Sequence, residues 1–186
     1  MRLGWLPNAI CIVRVLLVAP LVVLLLRGRY EAALALLVIA GASDALDGFL
    51  AKTFGWSTRL GGLLDPAADK LLMVSVFLTL TYLGIVPVLL AVIVILRDVI
   101  IVSGAVAYHV LIEPLRGEPA AISKLNTACQ LAFVLFAMTG TAYGWPADPI
   151  MLLLGAAVIF TSVTSGLHYV LGWGRRAARA AAHAEA

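Results

Sequence analysis

Apolar residues run almost unbroken through six stretches of the chain, and polar residues gather between these stretches or at their ends. A helix of about twenty apolar residues is long enough to cross a bilayer. The pattern predicts spans over residues 8–26, 32–51, 60–83, 88–112, 122–143 and 149–171. Residues 1–7 suit an interfacial lead-in. A signal peptide is the rival reading, but Arg14 interrupts the run and no convincing cleavage site follows. Residues 27–31 make a short connection, 52–59 and 113–120 polar ones, and Gly84 to Pro87 an uncharged turn. After the sixth run, an Arg-containing and Ala-rich tail is expected to be frayed or interfacial.

Composition sharpens this into a class. Hydrophobic residues make up 63% of the chain and charged residues 12%, and the mean hydropathy is +1.06. The expected fold is all-α: a polytopic membrane protein of six transmembrane helices. It forms a single transmembrane domain over residues 1–174 with a basic, Ala-rich tail over 175–186. The net charge of +3 does not point to nucleic acid, because the basic residues are scattered or flank apolar runs. Membrane topology and anionic lipids account for them.

Six spans put both termini on one side. That side holds Arg2, Lys52, Arg59, Arg116, Lys124, Arg175, Arg176 and Arg179, against Arg27 and Arg29 on the other. The bias assigns the first side to the cytoplasm. Trp5, Trp56, Trp145 and Trp173 fall near the expected span ends, as an aromatic belt requires. Cys11 and Cys129 lie in apolar runs without metal-binding context and are read as packing residues.

The chemistry concentrates in residues 44–69. Asp44 and Asp47 are three apart, and Asp65 and Asp69 four apart, so on helices each pair projects from one face. Carboxylates in so apolar a chain need something that neutralises them. Two facing helices would gather four oxygen donors, a cage suited to magnesium or manganese. Gly48 and Gly61 lie beside the acids and permit a close approach of phosphates. Lys52 and Arg59, between the pairs, suit remaining negative charge. Helix caps or loop acids are the plainer reading, but caps do not need four acids in two helical registers.

Written out, the stretch is D-x2-D-G-x2-A-K-x8-G-x3-D-x3-D. It resembles the signature of the CDP-alcohol phosphatidyltransferases, matching seven of eight fixed positions; Lys52 stands where that pattern has Arg. Lysine keeps the positive charge and loses arginine's forked contact. The resemblance implies a two-metal site, with two Mg2+ or Mn2+ ions held by Asp44, Asp47, Asp65 and Asp69. It implies that Asp69 also acts as general base, and that Gly48, Lys52, Thr58 and Gly61 bind the nucleotide and its pyrophosphate. CDP-diacylglycerol is the implied donor and a homodimer the implied assembly.

A second polar set comprises Arg14, Arg97, Asp98, Lys124 and Asn126. Pairing of Arg97 or Lys70 with a nearby acid is the plain reading. It is preferred for Lys70, whereas Arg97 with Lys124 is read as a phosphate-binding pair. Residues 95–104 and 122–130 are similar to the corresponding segments of the CMP-forming cardiolipin synthases within that family, and residues 7–14 resemble an opening helix shared with the phosphatidylglycerophosphate synthases. The resemblance implies phosphatidylglycerol as acceptor, or glycerol 3-phosphate as second choice, with Arg97, Lys124 and Asn126 at the acceptor phosphate. A bacterial inner membrane is the expected location, and the Lys and Arg bias puts the aspartate cluster at its cytoplasmic face. A membrane cation transporter would place acids nearer the bilayer midplane on broken helices. A non-catalytic lipid-binding protein is the other alternative, although all four acids are kept.

Overall fold

The structure, a computed structural model, describes residues 6–54, 61–111 and 121–184, with side chains described over 12–43, 68–106 and 121–173. Six helices follow in order: α1 (Leu6–Leu26), α2 (Tyr30–Phe54), α3 (Gly61–Tyr82), α4 (Val88–Leu111), α5 (Ala121–Tyr143) and α6 (Asp148–Ala184). There is no strand among the described residues. Segments Val88–Val106, Ala121–Tyr143 and Asp148–Trp173 are long and apolar enough to cross a membrane, and Ile12–Leu26 and Tyr30–Ser43 are shorter apolar helices. The protein is an all-α polytopic membrane protein, as lipid demands of a chain whose backbone groups must bond internally.

Two helix ends show why the connections are short. Gly28 and Gly84 adopt positive φ of 69° and 73°. At each, the following amide donates back across the last turn, Arg29 N–H to the Leu24 carbonyl and Ile85 N–H to the Leu80 carbonyl, both at 2.9 Å. Only glycine takes this conformation without strain, so α1 and α3 stop there and the chain reverses within a few residues.

Two boundaries differ from the sequence expectation. Helix α2 runs to Phe54, so Lys52 lies in the helix rather than in the connection after it. Helix α6 continues to Ala184, so of the two expectations for the tail, frayed or interfacial, its helical backbone sets aside only the first. Alanine and arginine are strong helix formers, and the continuation needs no new nucleus.

The chain divides into two compact units, one of Met1–Val86 and Val134–Ala147, the other of Pro87–Phe133 and Asp148–Ala186. In the first, α1 packs against both α2 and α3. Leu21 and Leu25 of α1, Ala33, Leu37 and Ala40 of α2, and Leu72, Val76 and Leu80 of α3 are buried at three- and four-residue spacing. In the second, α4 packs against α6. The outward faces are as apolar as the inward ones: Leu89, Leu152, Leu153 and Phe160 are all more than 60% exposed, as a surface solvated by lipid requires.

Within the second unit the buried stripes change character along each helix. On α4, Leu90, Ala91 and Val94 give way to Arg97 and Asp98; on α6, Val158 gives way to Thr161, Ser162 and Ser165. On α5 the order reverses, with Asn126 and Gln130 preceding Phe133. One end of this unit therefore has a polar interior.

Candidate active site

Helix α3 starts at Gly61 and brings Asp65 after one turn and Asp69 after the next. Because α1 packs along α3, an arginine of α1 meets the second of these acids. The Arg14 Nη1 donates to Asp69 Oδ1 at 2.8 Å. The pair is asymmetric: Arg14 is 2% exposed, while the Asp69 side chain is 48% exposed. A buried cation thus stands behind a carboxylate that remains accessible. Burying an arginine in an apolar helix is tolerated only with such a counter-charge.

Helix α2 carries Asp44, Asp47, Gly48 and Lys52 in its last turns, so Asp44, Gly48 and Lys52 share one register at four-residue intervals. The side chains of Asp44, Asp47, Lys52 and Asp65, and the surroundings of Gly48 and Gly61, lie outside the described residues, as does Thr58 entirely. Lys70 is half-buried. No group of three acids, histidines or cysteines gathers among the described residues, since Asp69 is the one member of the acidic set whose side chain is described.

In the second unit, Arg97 is turned inward. Its Nη1 donates to Asp98 Oδ1 at 2.7 Å, and its Nη2 donates to Ser123 Oγ at 2.7 Å and Ser165 Oγ at 2.5 Å. Pairing with a neighbouring acid, the plain reading of this residue, is present in the geometry. Lys124 is exposed, next in sequence to the serine that Arg97 holds. Asn126 is fully buried, and its Oδ1 accepts from Thr161 Oγ1 at 2.9 Å and Ser162 Oγ at 2.8 Å.

The partners Ser123, Thr161, Ser162 and Ser165 were not anticipated from sequence. Their signal was available: hydroxyls at 161, 162 and 165 share a face within the apolar run 149–171. The link from Arg14 to Asp69 was also missed, although a charge inside the first apolar run marks a residue with a partner.

The family model of CDP-alcohol phosphatidyltransferase matches residues 4–168. The chain belongs to the CDP-alcohol phosphatidyltransferase family. It is 31% identical over 179 residues to the cardiolipin synthase (CMP-forming) of Rattus norvegicus, a match covering 88% of this chain and 59% of the rat protein. The corresponding Homo sapiens protein is 31% identical over 181 residues, covering 88% of this chain and 60% of its own length. A chloroplastic CDP-diacylglycerol–glycerol-3-phosphate 3-phosphatidyltransferase of Oryza sativa is 33% identical over 132 residues, covering 62% of this chain and 40% of the rice protein. The chain thus spans about 60% of the length of the rat and human relatives.

Members of this phosphatidyltransferase family use divalent metal ions. The residues present fit hard cations: the acidic set is all oxygen, with two acids on one continuous helix three apart and two on another four apart, and the described carboxylate is accessible.

Proposed function

We propose that the protein transfers a phosphatidyl group from CDP-diacylglycerol to phosphatidylglycerol, giving cardiolipin and CMP. The observation that carries the reading is the acidic signature lying in two continuous helices, D-x2-D in α2 and G-x3-D-x3-D in α3. Asp44, Asp47, Asp65 and Asp69 would hold two Mg2+ or Mn2+ ions. When bound, such ions neutralise the pyrophosphate and stabilise the charge on departing CMP.

Asp69 takes the proton from the acceptor hydroxyl. The resulting alkoxide attacks the phosphorus that carries diacylglycerol, a new P–O bond forms, and the bond to the CMP phosphate breaks. Gly48 and Gly61 leave room for the pyrophosphate, and Lys52 and Thr58 bind it or the nucleotide. Lys124, exposed at the start of α5, meets the acceptor phosphate. Arg97 and Asn126 support it from behind through the first turns of α5. The reading includes a homodimer in a bacterial inner membrane with the acids at the cytoplasmic face.

The similarity to the rice protein supports a second acceptor, glycerol 3-phosphate, and one experiment separates the two. Purified protein in detergent, supplied with CDP-diacylglycerol, Mg2+ and each acceptor in turn, should release CMP with phosphatidylglycerol and yield cardiolipin by mass spectrometry. Chelation should abolish release and added Mg2+ restore it. Asp69→Asn should lower kcat by about 100-fold or more. Phosphatidylglycerophosphate as product would reassign the acceptor. Undiminished turnover in the Asn variant would remove the base, and absence of CMP with both alcohols would favour transport or lipid binding.

A further inference from the structure

The buried face of α1 is aliphatic further along, at Leu21 and Leu25. Residue 14 lies seven residues before Leu21, on the same helical stripe, where an aliphatic side chain is the stable choice. An arginine occupies that place, 2% exposed, and its guanidinium bonds a carboxylate 55 residues away that is itself 48% exposed. A pair made only for packing would be replaceable by apolar residues at little cost. This one holds an accessible acid from its buried side.

We propose that Arg14 is a positioning residue for Asp69, fixing from α1 the orientation in which the carboxylate meets the metal ions and the acceptor hydroxyl. The proposal rests on the reading of Asp69 as metal ligand and base. A charge-assisted N–H···O bond from an immobile guanidinium restricts the aspartate rotamer. Misplacement of a reacting group by about 1 Å costs on the order of 100-fold in rate. Arg14 touches neither substrate nor metal in this account; it acts through Asp69.

The test uses the full chain in detergent, with Arg14→Gln, Arg14→Lys and Asp69→Asn. Each is assessed for a monodisperse, folded state, then for Mn2+ affinity by electron paramagnetic resonance without substrate, and for kcat and KM. If Arg14 positions the ligand, Arg14→Gln binds Mn2+ about tenfold more weakly and loses about tenfold or more in kcat, with KM for CDP-diacylglycerol within about threefold. Arg14→Lys recovers part of both losses. A cation that merely neutralises charge gives the opposite metal result, because removing it leaves Mn2+ binding unchanged or tighter.

That metal result, or a wild-type kcat, in folded Arg14→Gln overturns the proposal. If Arg14→Gln does not fold, Arg14→Lys decides by the same measurements: weaker Mn2+ binding with about threefold lower kcat supports the role, and parity with wild type overturns it. Wild-type protein that binds Mn2+ without releasing CMP would remove the proposed reaction, while the Mn2+ comparison still judges Arg14. Wild-type protein that does neither would remove the reading of Asp69 and this proposal with it.

Discussion

Asn126 and Arg97 are both buried polar residues of the second unit, yet their removal should differ greatly in cost. The hydroxyls bonded to Asn126 belong to α6, where Thr161 also lies 2.7 Å from the Ala157 carbonyl of its own helix. Turning the Asn126 amide over would let its NH2 group donate to both hydroxyls, and either orientation ties α5 to α6. With Asn126 removed, Thr161 keeps a local acceptor while buried Ser162 loses its bond to Asn126, so Asn126→Ala should cost about 1–2 kcal/mol. Arg97 balances the charge of buried Asp98. Arg97→Met strips that charge of a partner and should cost about 3–5 kcal/mol. Unfolding of the purified variants in detergent checks the order; an Asn126 variant less stable than the Arg97 variant would contradict it.

Between elements, the packing of α4 on α6 depends on the absence of a side chain. A Cβ on Gly104 would overlap the six-membered ring of Trp173. Gly104→Val should therefore destabilise the protein by about 1–3 kcal/mol, because a broad ring has little room to retreat between close-packed helices. Trp173→Ala removes the obstacle at the expense of its own packing. The double variant should be more stable than the two single losses predict by about 1 kcal/mol, a coupling read from a thermal double-mutant cycle. The same contact requires α6 to extend beyond residue 171, so that Trp173 reaches α4.

For the whole molecule, the distribution of Lys and Arg predicts sidedness. Positions 175, 176 and 179 are basic, as are 52 and 59, whereas the connection after α1 holds Arg27 and Arg29. The eight-to-two bias predicts that the tail and the loop between the acidic helices share the cytoplasmic side. In a chain with Cys11 and Cys129 replaced by alanine, a membrane-impermeant maleimide applied to intact bacterial spheroplasts should label cysteine introduced at Glu31 and spare cysteine introduced at Arg179. Inside-out vesicles should reverse the pattern. Labelling of both positions from one side would refute the assignment.

The helices, the apolar lengths that suit them to a membrane and the spacing of the four aspartates are properties of short stretches, and the sequence by itself determined them. Apolar run length and a repeat of three or four residues are one-dimensional quantities that local backbone geometry converts directly into a helix with a given face. Which charge meets which was decided only in three dimensions. Arg14, Lys70 and Arg97 are all cations with an acid within reach of some packing, and sequence spacing alone ranks them poorly. Packing α1 along α3 joins Arg14 to Asp69. In the second unit, Arg97 meets serines of both α5 and α6, so its inward turn depends on elements 26 and 68 residues away. The Arg14–Asp69 ion pair, spanning 55 residues, follows from how helices pack and from the high cost of leaving a charge unpaired in a low-dielectric interior, and neither is written in local spacing.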